Sequence, residues 1–385
     1  MNQNFLKPGG TLGMIGGGQL GRMTLREARR SGYRTVVYTD EPHGSPCGQM
    51  ADLEINASYF DEEAVTLFLK EVDAVTLEFE NIPAQFLTAL GTRIPVLPGR
   101  AALEICQNRE REKAFLKANG LPHAAYAIVT DAASLTEAVK TIGTPCVLKT
   151  ADFGYDGKGQ QKLTGTEDMA AAWKALGAPR GVVEAWVEYE REISVVCARS
   201  LAGEFAAAAA VENQHRNHIL DISIAPARIT DTLAAEAIEL ARTIADALKY
   251  TGTMAVEMFV TKSGLIVNEL APRPHNSGHH TIESCVTSQF QQQLRCVTGL
   301  RPGDFRQHTP AVMVNLLGDL WHGPEIMPDW TTVISHPRTF LHLYGKRLAR
   351  KGRKMGHFTV LGGTLEEALV TANTLRASLG LPAAL

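Results

Sequence analysis

The chain has 385 residues, room for two or three domains, with 45% hydrophobic and 21% charged residues, the composition of an ordinary globular protein. A net charge of −3 gives no general attraction to nucleic acid or a membrane surface, and no apolar run approaches the ~18 residues of a membrane span. The first residues lack the charged and apolar segments of a signal peptide, and six cysteines without Cys-x-x-Cys spacing fit reduced thiols of a cytoplasmic protein better than a zinc or dithiol site.

Residues 11–100 alternate short apolar runs with helical ones. Thr11–Ile15, Thr35–Thr39 and Ala74–Glu78 read as strands. Gln19–Arg30 and Asp61–Glu71 read as helices, the second with Asp61 as N-cap and Val65, Phe68, Leu69 and Val72 on one face. This βαβ pattern predicts a parallel sheet. The first strand runs into Gly16-Gly17-Gly18-Gln19-Leu20-Gly21, a G-x-G-x-x-G loop, and Asp40 ends the second strand, where a dinucleotide fold holds a ribose. Amides at a helix N-terminus can meet any phosphate, so NAD(P) and a different nucleotide are both open. Glu78-Phe79-Glu80-Asn81 follows at the carboxyl edge of the sheet, where ligands sit; two solvated acids before a helix at Pro83 are the alternative.

A long helix over Ala101–Asn119 is predicted to lead into a second domain. There Ala124–Val129 reads as a strand, Ser134–Thr141 as a helix and Pro145–Thr150 as a strand carrying Lys149. The glycines of the following Asp152–Gln160 loop offer amides to phosphate without the spacing of a P-loop. Val182–Val187 is a strand with which Glu192–Ala198 is expected to pair. Asp231–Tyr250 and His280–Val297 read as helices, and the Glu212–His218 run is too polar for a core.

Met254–Val260 and Leu265–Leu270 form a hairpin signal. With the turn centred on Ser263, Glu257 and Glu269 each lie six residues from it, opposed on one face about 5 Å apart. Two solvated acids or a divalent cation between them would explain the pair; hard oxygen ligands suit Mg²⁺. The next stretch, Leu270–His280, is stiffened by prolines on either side of Arg273 and carries three His and an Asn, a set suited to anions. Near the end, Lys346–Lys354 holds six basic residues in nine, bent by Gly345 and Gly352, and reads as an anion site rather than a solvated strand.

Five stretches, GGGQLGRM at 16–23, EFENI at 78–82, VLKTADFGYDGKGQ at 147–160, NELAPRPHNSGHHT at 268–281 and YGK…RKMGH at 344–357, resemble the ATP-grasp superfamily. Within it they look most like the 5-(carboxyamino)imidazole ribonucleotide synthases. The resemblance implies an α/β protein, α+β in its ATP-grasp part. It would comprise a Rossmann-like parallel-sheet domain over 1–103, a small lid domain over 104–190 and an antiparallel-sheet ATP-grasp domain over 191–385.

It also implies that ATP phosphorylates bicarbonate to carboxyphosphate, which carboxylates the amine of 5-aminoimidazole ribonucleotide, in a homodimer with Mg²⁺. Carried over by position, Lys149 and the loop of Gly154, Tyr155, Asp156, Gly157, Lys158, Gly159 and Gln160 would hold the ATP phosphates, with Arg109 and His215 nearby. Glu184, Ala185, Trp186 and Val187 would hold adenine, and Glu192 the ribose. Glu257 and Glu269 would bind Mg²⁺ with Asn268 beside them. Arg273, His275 and Asn276 would position bicarbonate and carboxyphosphate. Lys346 and Arg353 would hold the ribonucleotide phosphate, which the helix N-terminus at Gly18, Gln19 and Leu20 would also suit; Glu80, Tyr155 and the catalytic Asp156 would sit near the imidazole and its amine. In the ATP-grasp pattern an Asn often follows the second metal carboxylate by two residues; here Ala271 stands there. A formate-using ATP-grasp ligase, an NAD(P)-dependent oxidoreductase and a binding protein without turnover are the alternatives.

Overall fold

The computed structural model describes residues 5–152 and 159–384. Gly154, Tyr155, Asp156, Gly157 and Lys158 lie outside the described residues. Three sheets organise the chain.

The first is parallel, ordered β3-β2-β1-β4. Its elements are β1 (Thr11–Ile15), α1 (Gln19–Arg30), β2 (Arg34–Thr39), β3 (Leu53–Asn56), α2 (Glu62–Glu71) and β4 (Ala74–Leu77), followed by α3 (Ala84–Gly91). β1 is buried throughout, as expected of a central parallel strand covered on both faces. Leu25 of α1 packs on Met14 and Val37, and Phe68 of α2 with Phe86 of α3 packs around Tyr38. Asp61 caps α2, accepting from the amides of Glu63 and Ala64. β3 was not anticipated: Asp52-Leu53-Glu54-Ile55-Asn56 alternates polar and apolar residues too briefly to stand out.

The expected long helix is two, α4 (Arg100–Cys106) and α5 (Arg109–Ala118). The break falls at Asn108, whose backbone is extended and whose side chain caps α5 by accepting from Arg111 N. Its amide also donates to Asp152 (2.7 Å), so the break ties α5 to the second sheet.

That sheet is antiparallel, ordered β5-β8-β6-β7, and contains β5 (Tyr126–Val129), α6 (Ala132–Ile142), β6 (Cys146–Thr150), β7 (Gln160–Leu163), α7 (Met169–Leu176) and β8 (Gly181–Ala185).

The third sheet is also antiparallel. It comprises β9 (Arg191–Arg199), β10 (Phe205–Ala207), β11 (Val211–Arg216), β12 (Ile219–Ala225), then, after α8 (Asp231–Ala247), β13 (Gly252–Thr261) and β14 (Gly264–Ala271). A 3-10 helix (Asn276–His280), α9 (Thr281–Ser284) and α10 (Gln289–Val297) precede β15 (Ala311–Leu317), α11 (Thr331–Ser335), β16 (Thr339–Leu343), β17 (Lys354–Leu361) and α12 (Leu365–Ser378). The order is β14-β13-β9-β11-β12-β15-β17-β16, with β10 on β9. β9 therefore pairs with β10, β11 and β13 and not with β8, correcting the expected pairing. The predicted helix over His280–Val297 is interrupted at Cys285, where the backbone is extended, and restarts at Ser288 with a capping box to Gln291.

Alternation gives this sheet two unlike faces. Ile193, Val195, Val256 and Met258 pack beneath α8, and Ile222, Ile224, Val312 and Val314 pack with α12. The other face carries Glu257, Ser194, Asn213 and Ser223.

Candidate active site

The hairpin of β13 and β14 turns through Lys262 and Ser263, because Thr261 pairs with Gly264. Plain counting from that turn sets Glu257 against Asn268. A bulge beside Glu257 and Met258 instead pairs Glu257 with Glu269 and Met258 with Val267, leaving Asn268 as the extra residue. The expected opposition of the carboxylates is present, but the bulge produces it, not a turn centred on Ser263. Asn268 and Glu269 both reach one cavity of about 1080 Å³.

Glu257 accepts from His275 Nε2 at 3.0 Å, and Glu269 lies 3.5 Å from an Arg109 nitrogen. Burial pushes the Glu257 carboxyl up, but the bond to His275 outweighs it and holds the group down at about 2. Among the described residues no three His, Cys, Asp or Glu converge on a metal-sized site. Two carboxylates and an amide oxygen fit a hard cation that takes its other ligands from phosphate and water, as Mg²⁺ does.

On one side of this pair stands the second sheet. Glu184 of β8 is buried between Lys149 Nζ (3.0 Å) and Lys113 Nζ (3.2 Å). Burial opposes its ionisation, yet the two ammonium groups hold it down to about 2. Lys113 also donates to the Asn268 carbonyl (3.1 Å), so a fully buried charge joins both sheets under the site. Trp186 is half exposed at the cavity wall with Lys162 over its ring, and Tyr189 stacks on Phe259 nearby (4.6 Å). Glu192 meets His215 at 2.6 Å; burial lowers the imidazole pKa, and Glu192 more than restores it.

On the other side the first sheet contributes Glu80, which forms a two-pronged ion pair with Arg273. Burial raises the Glu80 pKa and Arg273 brings it below the usual range. Asn276 lines the cavity with both amide atoms buried and without a partner among the described residues, leaving a donor and an acceptor for a small ligand. The loop from Gly345, which joins β16 to β17, brings Lys346 and Arg353. Burial, helped by Arg353, lowers Lys346 to about 8. Gly345 has φ +75° and receives a bond from Gln49 Nε2 (2.9 Å), which clips this loop to the first domain.

In the glycine loop two of the amides are taken by the protein's own acid: Glu78 accepts from Gly18 N and from Gly21 N (2.8 Å). A Cβ on Gly18 would lie 2.5 Å from the Glu78 carboxylate, so the glycines there serve the approach of the protein's own acid. Gly18, Gln19 and Leu20 still line the cavity.

All described candidates except Gly159 border this single cavity; Gly159, with φ +68°, accepts from Thr150 N (2.7 Å) beside it. Sequence reading missed Lys113, Lys162, Tyr189 and Phe259. The strong charge of the Asn108–Lys113 segment was a signal for the first; the others sit in ordinary strand context.

A ribonucleotide synthetase pre-ATP-grasp model matches residues 10–107, an ATP-grasp domain model 114–290, and a phosphoribosylaminoimidazole carboxylase C-terminal domain model 311–371. The N5-carboxyaminoimidazole ribonucleotide synthase of Bacillus subtilis is 42% identical over 366 residues, 94% of either chain, and that of Brucella melitensis 41% over 362, covering 93% of this chain and 98% of the relative. The Staphylococcus aureus N5-carboxyaminoimidazole synthetase complexed with ADP superposes with a TM-score of 0.89 at 37% identity, covering 98% and 99%. The Aspergillus clavatus enzyme in complex with ADP and 5-aminoimidazole ribonucleotide gives 0.88 at 29%, covering 97% and 99%. The chain belongs to the N5-carboxyaminoimidazole ribonucleotide synthase family of ATP-grasp enzymes.

Proposed function

We propose that this enzyme uses ATP and bicarbonate to carboxylate the exocyclic amine of 5-aminoimidazole ribonucleotide, giving the N5-carboxylated ribonucleotide, ADP and phosphate in purine synthesis. The observation that carries this reading is one cavity bordered by the Lys149–Glu184 wall, the carboxylate pair, Arg273-His275-Asn276 and the Lys346–Arg353 loop.

In the first step a bicarbonate oxygen takes the γ-phosphoryl group and ADP leaves. Lys149 and Arg109 face the phosphates, and Glu257, Glu269 and Asn268 would hold Mg²⁺, which supplies charge neutralisation. In the second step the amine nitrogen bonds to the carbonyl carbon of carboxyphosphate, phosphate departs and the nitrogen loses a proton. Arg273, paired with Glu80, and His275, held by Glu257 and Ser277, are fixed before either step, so they stabilise developing charge without reorganising, while Asn276 offers its amide. Lys346 and Arg353 grip the ribonucleotide phosphate, and Trp186 with the Tyr189–Phe259 pair flanks adenine. The same reading divides the chain near 103 and 190 and makes the working unit a cytosolic homodimer.

Phosphate release from Mg·ATP and bicarbonate, with and without the ribonucleotide, tests the reading. Strong stimulation by the ribonucleotide is the expected result. Release that requires formate in place of bicarbonate would assign the chain to another ATP-grasp chemistry.

A further inference from the structure

The polar face of the third sheet carries a row of side chains between the cavity and the far side of the sheet. Ser223 and Asn213 are directly opposed on β12 and β11, and Ser194 on β9 is directly opposed to Glu257 on β13. Ser223, Ser194 and Ser277 are fully buried and Asn213 is 6% exposed. Hydroxyls and an amide at such depth cost stability unless each finds a partner. Here they form one chain. Ser223 Oγ donates to Asn213 Oδ1 (2.9 Å), Asn213 Nδ2 to Ser194 Oγ (2.9 Å), and Ser194 Oγ to Ser277 Oγ (2.7 Å). Ser277 Oγ lies 2.8 Å from His275 Nδ1.

A hydroxyl has one proton, so the direction set at the amide passes along the chain. Ser194 receives from Asn213 and gives to Ser277, and Ser277 must then give to His275 Nδ1. Two observations at the other end agree. Ser277 N also points its proton at Nδ1 (3.4 Å), and Nε2 faces the Glu257 carboxylate, which only accepts.

We propose that Asn213 is a positioning residue: acting through Ser194 and Ser277, it fixes Nδ1 of His275 as an acceptor and so places the imidazole proton on Nε2, against the Glu257 carboxylate at the cavity wall. The consequence for turnover rests on the reading above, in which His275 faces bicarbonate and carboxyphosphate. Nothing in the cavity is needed to set the chain, since every link lies behind the imidazole. The ring is therefore oriented, with its Nε2 proton held by Glu257, before substrate arrives.

Asn213→Asp is the informative substitution. An aspartate can only accept, so Ser194 would turn to donate to it, Ser277 would donate to Ser194, and His275 would protonate at Nδ1. In the full-length protein labelled with ¹⁵N-histidine, the His275 signals are those lost in His275→Asn. The wild type should show a protonated Nε2 and a bare Nδ1, and Asn213→Asp a protonated Nδ1. kcat should fall about 100-fold with KM for ATP changed less than about twofold. Ser277→Ala, a milder change should the buried aspartate prevent folding, should give a mixture of tautomers and an intermediate kcat. Ser277→Thr, which keeps the hydroxyl, should restore both.

A wild-type Nδ1–H tautomer would overturn the proposal, as would Asn213→Asp and Ser277→Ala spectra unchanged from wild type. A protonated Nδ1 with unchanged kcat would overturn the positioning role. Failure of the ribonucleotide to stimulate wild-type turnover would count against the proposed function instead, and the spectra would still decide the tautomer.

Discussion

Single residues in this cavity are set by partners that leave distinct signatures. Among the described residues Glu269 has only a 3.5 Å contact to Arg109, so its oxygens remain available, whereas Glu257 is already bonded to His275. Glu269→Gln should keep the hairpin and its melting temperature while lowering kcat with Mg·ATP by roughly 100-fold or more. Activity near wild type would remove Glu269 from the metal site. Lys346 offers a pH test. Its ammonium is weakened to about 8 by burial and the neighbouring Arg353, so the cation is present below that pH and lost above it. A phosphate dianion binds the charged form, and KM for the ribonucleotide should rise roughly tenfold from about pH 7 to pH 9. Lys346→Arg, charged throughout, should flatten that rise; a profile identical to wild type would mean another group titrates.

At the scale of elements, the most local signals were legible and the long-range ones were not. β1 and α1 fall where the apolar period puts them, and Asp61 caps α2 as its position before the periodic run implies. The pairing of β9 with β13 spans more than fifty residues and leaves no mark in either strand, so proximity in sequence suggested β8 instead. The opposed glutamates were found although the bulge at Asn268 was invisible, because an error of one position in the turn offset the extra residue. The break between α4 and α5 was hidden because Asn108 sits among helix-forming neighbours. Its two roles there can be separated. Asn108→Ala should cost about 1 kcal/mol through loss of the α5 cap and should also raise KM for ATP, because Asp152 at the start of the glycine-rich loop loses its tether. Asn108→Ser can cap, so it should recover the melting temperature but not the KM.

For the whole molecule, the cavity draws walls from all three sheets, and on the proposed reading it takes both nucleotides at once. Initial rates measured for ATP against the ribonucleotide should therefore give intersecting reciprocal plots; parallel plots would show that ADP leaves before the second nucleotide binds. No helix among the described residues is long and apolar enough to cross a membrane. The candidate site was legible as a set of short motifs because polar residues with chemical duties stand out from an apolar background. Its supports, such as the buried Lys113, depend on which sheets come together and become visible only in the fold.

One contact reaches back to how the chain is made. Leu20 and Met23 of α1 pack against Phe290 of α10 and Tyr344 beside the basic loop, and Leu12, Ala28 and Tyr33 pack with Leu294 and Val297. The ribosome delivers those partners more than 250 residues after α1. A nascent first sheet must wait with an apolar flank uncovered while most of the polypeptide is still being translated, a period in which it is a natural client for a chaperone.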